Sequence, residues 1–316
     1  MSIRGRLVWI LAAVAALNLV AGGGALSLGG FGVAGIGVGM VAYLLGVRHA
    51  FDADHIAAID NVTRRLRAAG ERPLGVGLFF SLGHSTVVLL VTAVAVLAAR
   101  HLGTLLPQLS AWGSLLGSVV SAGFLTLIGL ANVRLLAAQL RKRHARSDHR
   151  HPFGLDRAGQ RVDHSWKMFP LGMLFGLSFD TASEVELLAI SVAAAHDGSI
   201  PLWGVMLLPL LFTAGMALMD TVESLLMLRL YDWAIADRDR TMHLNTLITG
   251  LSVCLALGVA LQEWIDLCSS RIRMLRWSLL DSSTLGLLAT AMFLGLGAIA
   301  WWLHRRRVVR TPGTVG

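Results

Sequence analysis

The chain has 316 residues, of which 55% are apolar and only 15% charged, where soluble domains carry about 25% charged residues. With a mean hydropathy of +0.67, this composition excludes most soluble enzymes, disordered chains and coiled coils. The charge is lopsided, 27 Lys and Arg against 19 Asp and Glu for a net +8, and in a membrane protein such a surplus belongs to cytoplasmic loops rather than to a nucleic-acid surface.

A membrane-crossing helix needs roughly 20 mostly apolar residues. Eight windows meet that length in chain order: 7–26, 33–60, 74–99, 112–138, 168–195, 202–229, 244–263 and 282–303. The first follows Arg4 and Arg6, a flank that a signal peptide shares. The second, fifth and sixth are interrupted by ionisable residues. Two cysteines, Cys254 and Cys268, are too few for a disulfide scaffold and read as packing residues.

Loop charge sets the orientation. With the N-terminus cytoplasmic, cytoplasmic segments hold 21 of the 27 Lys and Arg, exterior loops hold Arg100, Arg271, Arg273 and Arg276, and only Arg48 and Arg134 lie in or near helices. The positive-inside rule therefore predicts an all-α integral membrane protein of about eight helices with both termini cytoplasmic. The organisation expected is one transmembrane transporter domain over residues 1–316, with a cytoplasmic His- and Arg-rich loop at 141–167. His144, His149, His151 and His164 of that loop stand among eight basic residues. That positive charge repels cations, so the loop reads as a solvated segment.

Burying a charge at the bilayer centre costs about 2.5–3.5 kcal/mol on insertion scales. The predicted spans nevertheless hold Asp52, Asp54, Asp180, Glu184, Glu186, Asp220 and Glu223, together with His49, His55 and His84. So many polar groups must meet one another, water or a cation. On a regular helix Asp52 lies one turn from both His49 and His55, making a stripe for one cavity. Asp54 falls on another face, which requires a separate partner or local unwinding. Arg48 is spaced to pair with Asp52. Asp180 with Glu184, and Asp220 with Glu223, are two acidic pairs at helical spacing, and two close carboxylates share a cation or a proton in low dielectric. Imidazole beside carboxylate suits nickel, cobalt or zinc. Counted from the nearest cytoplasmic basic residue, Asp52, His84, Asp180 and Asp220 lie about 13–20 Å deep, where secondary transporters hold their substrate.

A faint repeat accompanies the acids. Ala50-Phe51-Asp52-Ala53 is similar to Ser178-Phe179-Asp180-Thr181, and Leu78-Phe79-Phe80-Ser81-Leu82-Gly83 to Leu210-Leu211-Phe212-Thr213-Ala214-Gly215. An offset of three spans suggests an inverted repeat of helices 2–4 and 5–7.

At these residues the sequence resembles the nickel/cobalt transporter family, NiCoT. The second-helix stretch is Arg48-His49-Ala50-Phe51-Asp52-Ala53-Asp54-His55-Ile56, and the third-helix signature is Phe79-Phe80-Ser81-Leu82-Gly83-His84-Ser85-Thr86. The fifth is Leu177-Ser178-Phe179-Asp180-Thr181-Ala182-Ser183-Glu184, with Ser178 where the family usually has Gly. The sixth is Gly215-Met216-Ala217-Leu218-Met219-Asp220-Thr221, then Glu223 where Asp is common. The resemblance implies high-affinity uptake of Ni²⁺ or Co²⁺ across the cytoplasmic membrane. His49, Asp52, Asp54 and His55 are the carried-over metal residues, supported by His84, Asp180, Glu184 and Asp220. The ion is the substrate, and no resident cofactor is expected. The chain lacks a Walker A motif, so no ATPase lies within it; the resemblance implies a secondary mechanism, with no ATPase subunit evident from the sequence. The partners expected are the ion and the bilayer, with no nucleic acid. Two alternatives stand beside uptake: efflux of the same ions, and an intramembrane metal-dependent hydrolase, against which the absence of His-Glu-x-x-His counts.

Overall fold

The computed structural model describes residues 2–101, 164–177, 181–196, 198, 200–235 and 238–269, with scattered positions from 119 to 137 and at 291 and 295. Among the described residues all regular structure is helical: α1 (Ile3–Leu28), α2 (Val33–His49), α3 (Ala53–Ala68) and α4 (Val76–His101), then a shorter apolar helix α5 (Ala122–Arg134). There follow α6 (Met168–Phe175), α7 (Ala182–His196), α8 (Leu202–Val205), α9 (Leu207–Ile235) and α10 (Arg238–Ser269). Three helical stretches, Ile3–Phe31, Val76–Leu97 and Leu202–Asp232, are long and apolar enough to cross a bilayer, and α2 with α3 makes a fourth if the bent pair is one span. Apart from positions 291 and 295, the span expected at 282–303 lies outside the described residues, as do residues 141–163 of the loop expected at 141–167.

The second predicted span differs from expectation. Instead of one helix over 33–60, the chain bends by 52° between α2 and α3. The amides of Phe51 and Asp52 bond back to the carbonyls of Arg48 and His49, at 3.0 and 2.9 Å, and Asp52 turns extended (φ −68°, ψ 140°) before α3 begins. The break leaves these amides satisfied, the condition under which irregular backbone is tolerated at membrane depth. The fifth predicted span is likewise two helices, α6 and α7.

Small residues place the helices close. A Cβ on Gly46 of α2 would overlap the Phe212 carbonyl of α9, and one on Gly215 of α9 would overlap the Tyr43 carbonyl of α2. The same reciprocity joins α4 to α6: Gly83 meets the Phe169 carbonyl and Gly172 meets that of Phe80. Gly77 of α4 lies against the Asp220 carbonyl of α9. Backbone approach through small residues is how helices associate in lipid, where apolar side chains gain nothing by leaving the solvent. Phe80, Phe175 and Phe212 are fully buried between these helices, while Leu19, Leu26, Leu44, Leu90 and Leu261 point outward.

Candidate metal centre

The break and the crossings converge on one place. Gly46 is one turn before His49, so the α2–α9 contact sets the His49 ring against Phe212, with centroids 5.3 Å apart. His55, in the first turn of α3, stacks edge-on to Phe80 at 4.8 Å. Gly83 and Gly172 seat His84 of α4 beside both. The three imidazole centroids are 4.5–4.8 Å apart, and one nitrogen from each lies within 4.8 Å of the other two. His49, His55 and His84 are 1%, 0% and 2% exposed.

Two carboxylates close the cluster. Glu184, in the first turn of α7, brings Oε1 to 2.9 Å from His84 Nε2 and 3.9 Å from His49 Nε2. Asp220 of α9 brings Oδ2 to 3.5 Å from His55 Nδ1. Both acids are buried. His84 Nε2 also lies 3.0 Å from His49 Nε2. Side chains from five helical segments thus meet in one buried pocket. An unpartnered polar atom in such a pocket costs about 1–3 kcal/mol. Here both ring nitrogens of His55, Nδ1 of His84 and Oδ1 of Asp220 have no hydrogen-bond partner. Imidazole nitrogen and carboxylate oxygen left open together form a donor set for a borderline divalent ion.

The remaining expected residues have other surroundings. Asp52 stands at the N-cap of α3 without capping it; its Oδ2 instead accepts from His49 Nδ1 at 2.8 Å. The regular stripe of His49, Asp52 and His55 is therefore replaced by two helix ends with a carboxylate between them. Asp54 turns to its own helix, its Oδ1 accepting the His55 amide at 2.9 Å, a place where the helix dipole favours negative charge. Glu223, one turn beyond Asp220, has Asp220 and Asp60 as its charged neighbours. Arg48 pairs with Glu186 at 3.8 Å rather than with Asp52. Asp180 lies outside the described residues.

Two hydroxyls belong to the site although the sequence reading gave them no role. Ser81 Oγ lies 2.6 Å from Asp220 Oδ2, and Thr181 Oγ1 donates to Glu184 Oε2 at 3.0 Å. Each sits in a motif stretch near an ionisable residue, Thr181 directly after Asp180 and Ser81 three residues before His84, which was the available signal.

Comparison with known proteins points the same way. The NicO family model, described as a high-affinity nickel-transport protein, matches residues 35–306. The nickel transporter NicT of Mycobacterium tuberculosis is 40% identical over 302 residues, covering 87% of this chain and 80% of the relative. The cobalt transport protein NhlF of Rhodococcus rhodochrous is 42% identical over 241 residues, 71% of this chain and 68% of its own. The high-affinity nickel-transport protein NixA of Helicobacter pylori (strain 26695) is 39% identical over 253 residues, 74% and 76% of the two chains. No solved structure matches the chain.

Proposed function

The chain belongs to the NicO family of high-affinity nickel-transport proteins, and from that premise we propose that it carries Ni²⁺ or Co²⁺ into the cytoplasm through the buried pocket of His49, His55 and His84. The observation that carries this reading is the convergence of three buried imidazoles with nitrogens within 4.8 Å of one another at a broken membrane helix. Half-helix ends meeting at mid-membrane are where secondary transporters hold their ions. With neutral imidazoles, Glu184 and Asp220 supply two negative charges against the two of the ion.

Transport follows as alternating access. His49, His55, His84, Glu184 and Asp220 are each no more than 2% exposed, so the pocket is closed on both sides. Toward the cytoplasm, α3 is fastened to α9 by Tyr231 donating to Asp60 and by the Arg67–Asp232 ion pair. On the other route, Arg48 links the end of α2 to Glu186 of α7. Releasing one fastening at a time opens one side at a time. The reciprocal glycine crossings support the inverted repeat. In the first copy the broken pair α2–α3 is followed by α4, and in the second the pair α6–α7 is followed by α9. The leading helix of each copy packs on the last helix of the other.

Vesicles reconstituted with the protein and given radioactive nickel or cobalt outside test the proposal. Accumulation is expected for the native chain, with His49→Ala and His84→Ala each reducing it to background. Unchanged accumulation in both variants sinks the site. Loss of metal from preloaded vesicles instead of accumulation reverses the direction.

A further inference from the structure

Building on the proposed site, we infer that Ser81 and Thr181 are positioning residues that restrict Asp220 and Glu184 to one ligand oxygen each, and so set the ion selectivity of the pocket. Ser81 is fully buried on α4, one turn beyond Gly77, whose contact with the Asp220 backbone brings α4 and α9 together. Its hydroxyl has one proton and two acceptors within reach, the Gly77 carbonyl at 2.8 Å and Asp220 Oδ2 at 2.6 Å. A helical serine ordinarily bonds back to the carbonyl four residues earlier. Here the carboxylate oxygen competes and is the nearer of the two acceptors. The proton therefore goes to Oδ2. The other oxygen, Oδ1, is buried and has no partner, so it is the atom left for an ion.

Glu184 is held the same way from another segment. Thr181 Oγ1 donates to Oε2 at 3.0 Å, while Oε1 turns to His84 Nε2 at 2.9 Å. Thr181 Oγ1 also lies 3.3 Å from His49 Nδ1, but that nitrogen has its closer partner in Asp52 at 2.8 Å. The hydroxyl thus remains committed to the carboxylate. In both acids one oxygen is occupied by a hydroxyl; Glu184 Oε1 faces His84, and Asp220 Oδ1 is left without a partner beside the Oδ2 that lies 3.5 Å from His55 Nδ1.

The consequence concerns which ions fit. Three imidazole nitrogens and two single oxygens make five ligands, which with one water suits a six-coordinate transition ion. Calcium takes six to eight oxygens and commonly uses both oxygens of a carboxylate, and manganese likewise favours oxygen-rich sites. A carboxylate whose second oxygen is held by a hydroxyl is closed to that mode. Removing the hydroxyl frees the carboxylate to rotate and present both oxygens.

The test is metal titration of the purified full-length protein with nickel alone, then displacement of nickel by manganese and by calcium. Ser81→Ala and Thr181→Val are each expected to weaken nickel binding about 10–100-fold, the usual effect of losing an outer partner of a ligand. Each is also expected to lower the manganese or calcium concentration needed for displacement relative to nickel. Ser81→Thr and Thr181→Ser, which keep the hydroxyl, should restore both properties. Ser81→Cys, nearly the same size with a weak donor, provides the same test if the alanine variant does not fold. The ratio of manganese to nickel affinity separates this role from general loosening, which would weaken both ions together. If His84→Ala abolishes nickel binding while the hydroxyl variants keep native affinity and selectivity, this inference alone is overturned. If His84→Ala binds nickel normally, the site beneath it is overturned as well.

Discussion

Asp52 stands just ahead of α3 at its N-cap, where its side chain does not cap the helix, and its carboxylate accepts the proton of His49 Nδ1. That bond fixes the tautomer in which Nε2 carries the lone pair, and Nε2 is the nitrogen turned toward His84 and Glu184. An outer carboxylate of this kind orients a metal-binding imidazole and raises its basicity. Asp52→Asn should therefore weaken nickel binding about 10–100-fold in a calorimetric titration, because its amide can donate to Nδ1 and favour the other tautomer. Asp52→Glu, which retains the charge, should recover part of the loss. Native affinity in the Asn variant would show that the imidazole needs no such partner. At this scale His49, His55, His84, Glu184 and Asp220 were legible, because an ionisable residue in an apolar window is too costly to be incidental. The duties of Ser81 and Thr181 were not legible: hydroxyls are inexpensive in membrane helices, and their partners lie 139 residues away for Ser81 and one turn away for Thr181.

Between His49 and Asp54 there is neither proline nor glycine, so the bend that separates α2 from α3 had no local signal. Reading 100° per residue through an assumed continuous helix placed Asp52 on the stripe of the two histidines, and Arg48 against Asp52. The bend instead sets the Asp52 carboxylate against His49 Nδ1 and sends Arg48 to Glu186. Glycines at helix crossings were visible in sequence, but which backbone each would touch depends on packing between segments far apart in the chain. Those contacts make a prediction about elements. Gly46→Val and Gly77→Val insert a side chain against the backbone of α9 and should destabilise the protein by about 1–3 kcal/mol or more, seen as a lowered melting temperature in detergent. Gly22→Val on α1, where a Cβ meets nothing within 4 Å, should be tolerated. Equal melting temperatures for all three variants would remove the crossings as the origin of the close packing.

At the scale of the whole molecule, 27 basic side chains and 19 acidic ones separate into two populations. The loops expected from the sequence hold most of the former, and the expectation of eight spans with both termini cytoplasmic rests on that distribution rather than on helix geometry. The described helices carry the acidic and imidazole residues, and the fold gathers five of these at one buried point. Membrane character and the gathering of these polar residues were legible because both follow from where charge is tolerated. The contacts proposed to close the pocket were not, since Tyr231 meets Asp60 and Arg67 meets Asp232 across more than 160 residues of chain. X-ray absorption spectroscopy of the purified protein loaded with one equivalent of nickel tests the central claim most directly. The account predicts a six-coordinate first shell of nitrogen and oxygen without sulfur, with three imidazoles, one of which is lost in each of His49→Ala, His55→Ala and His84→Ala. A sulfur ligand, or an imidazole count unchanged in all three variants, would contradict it.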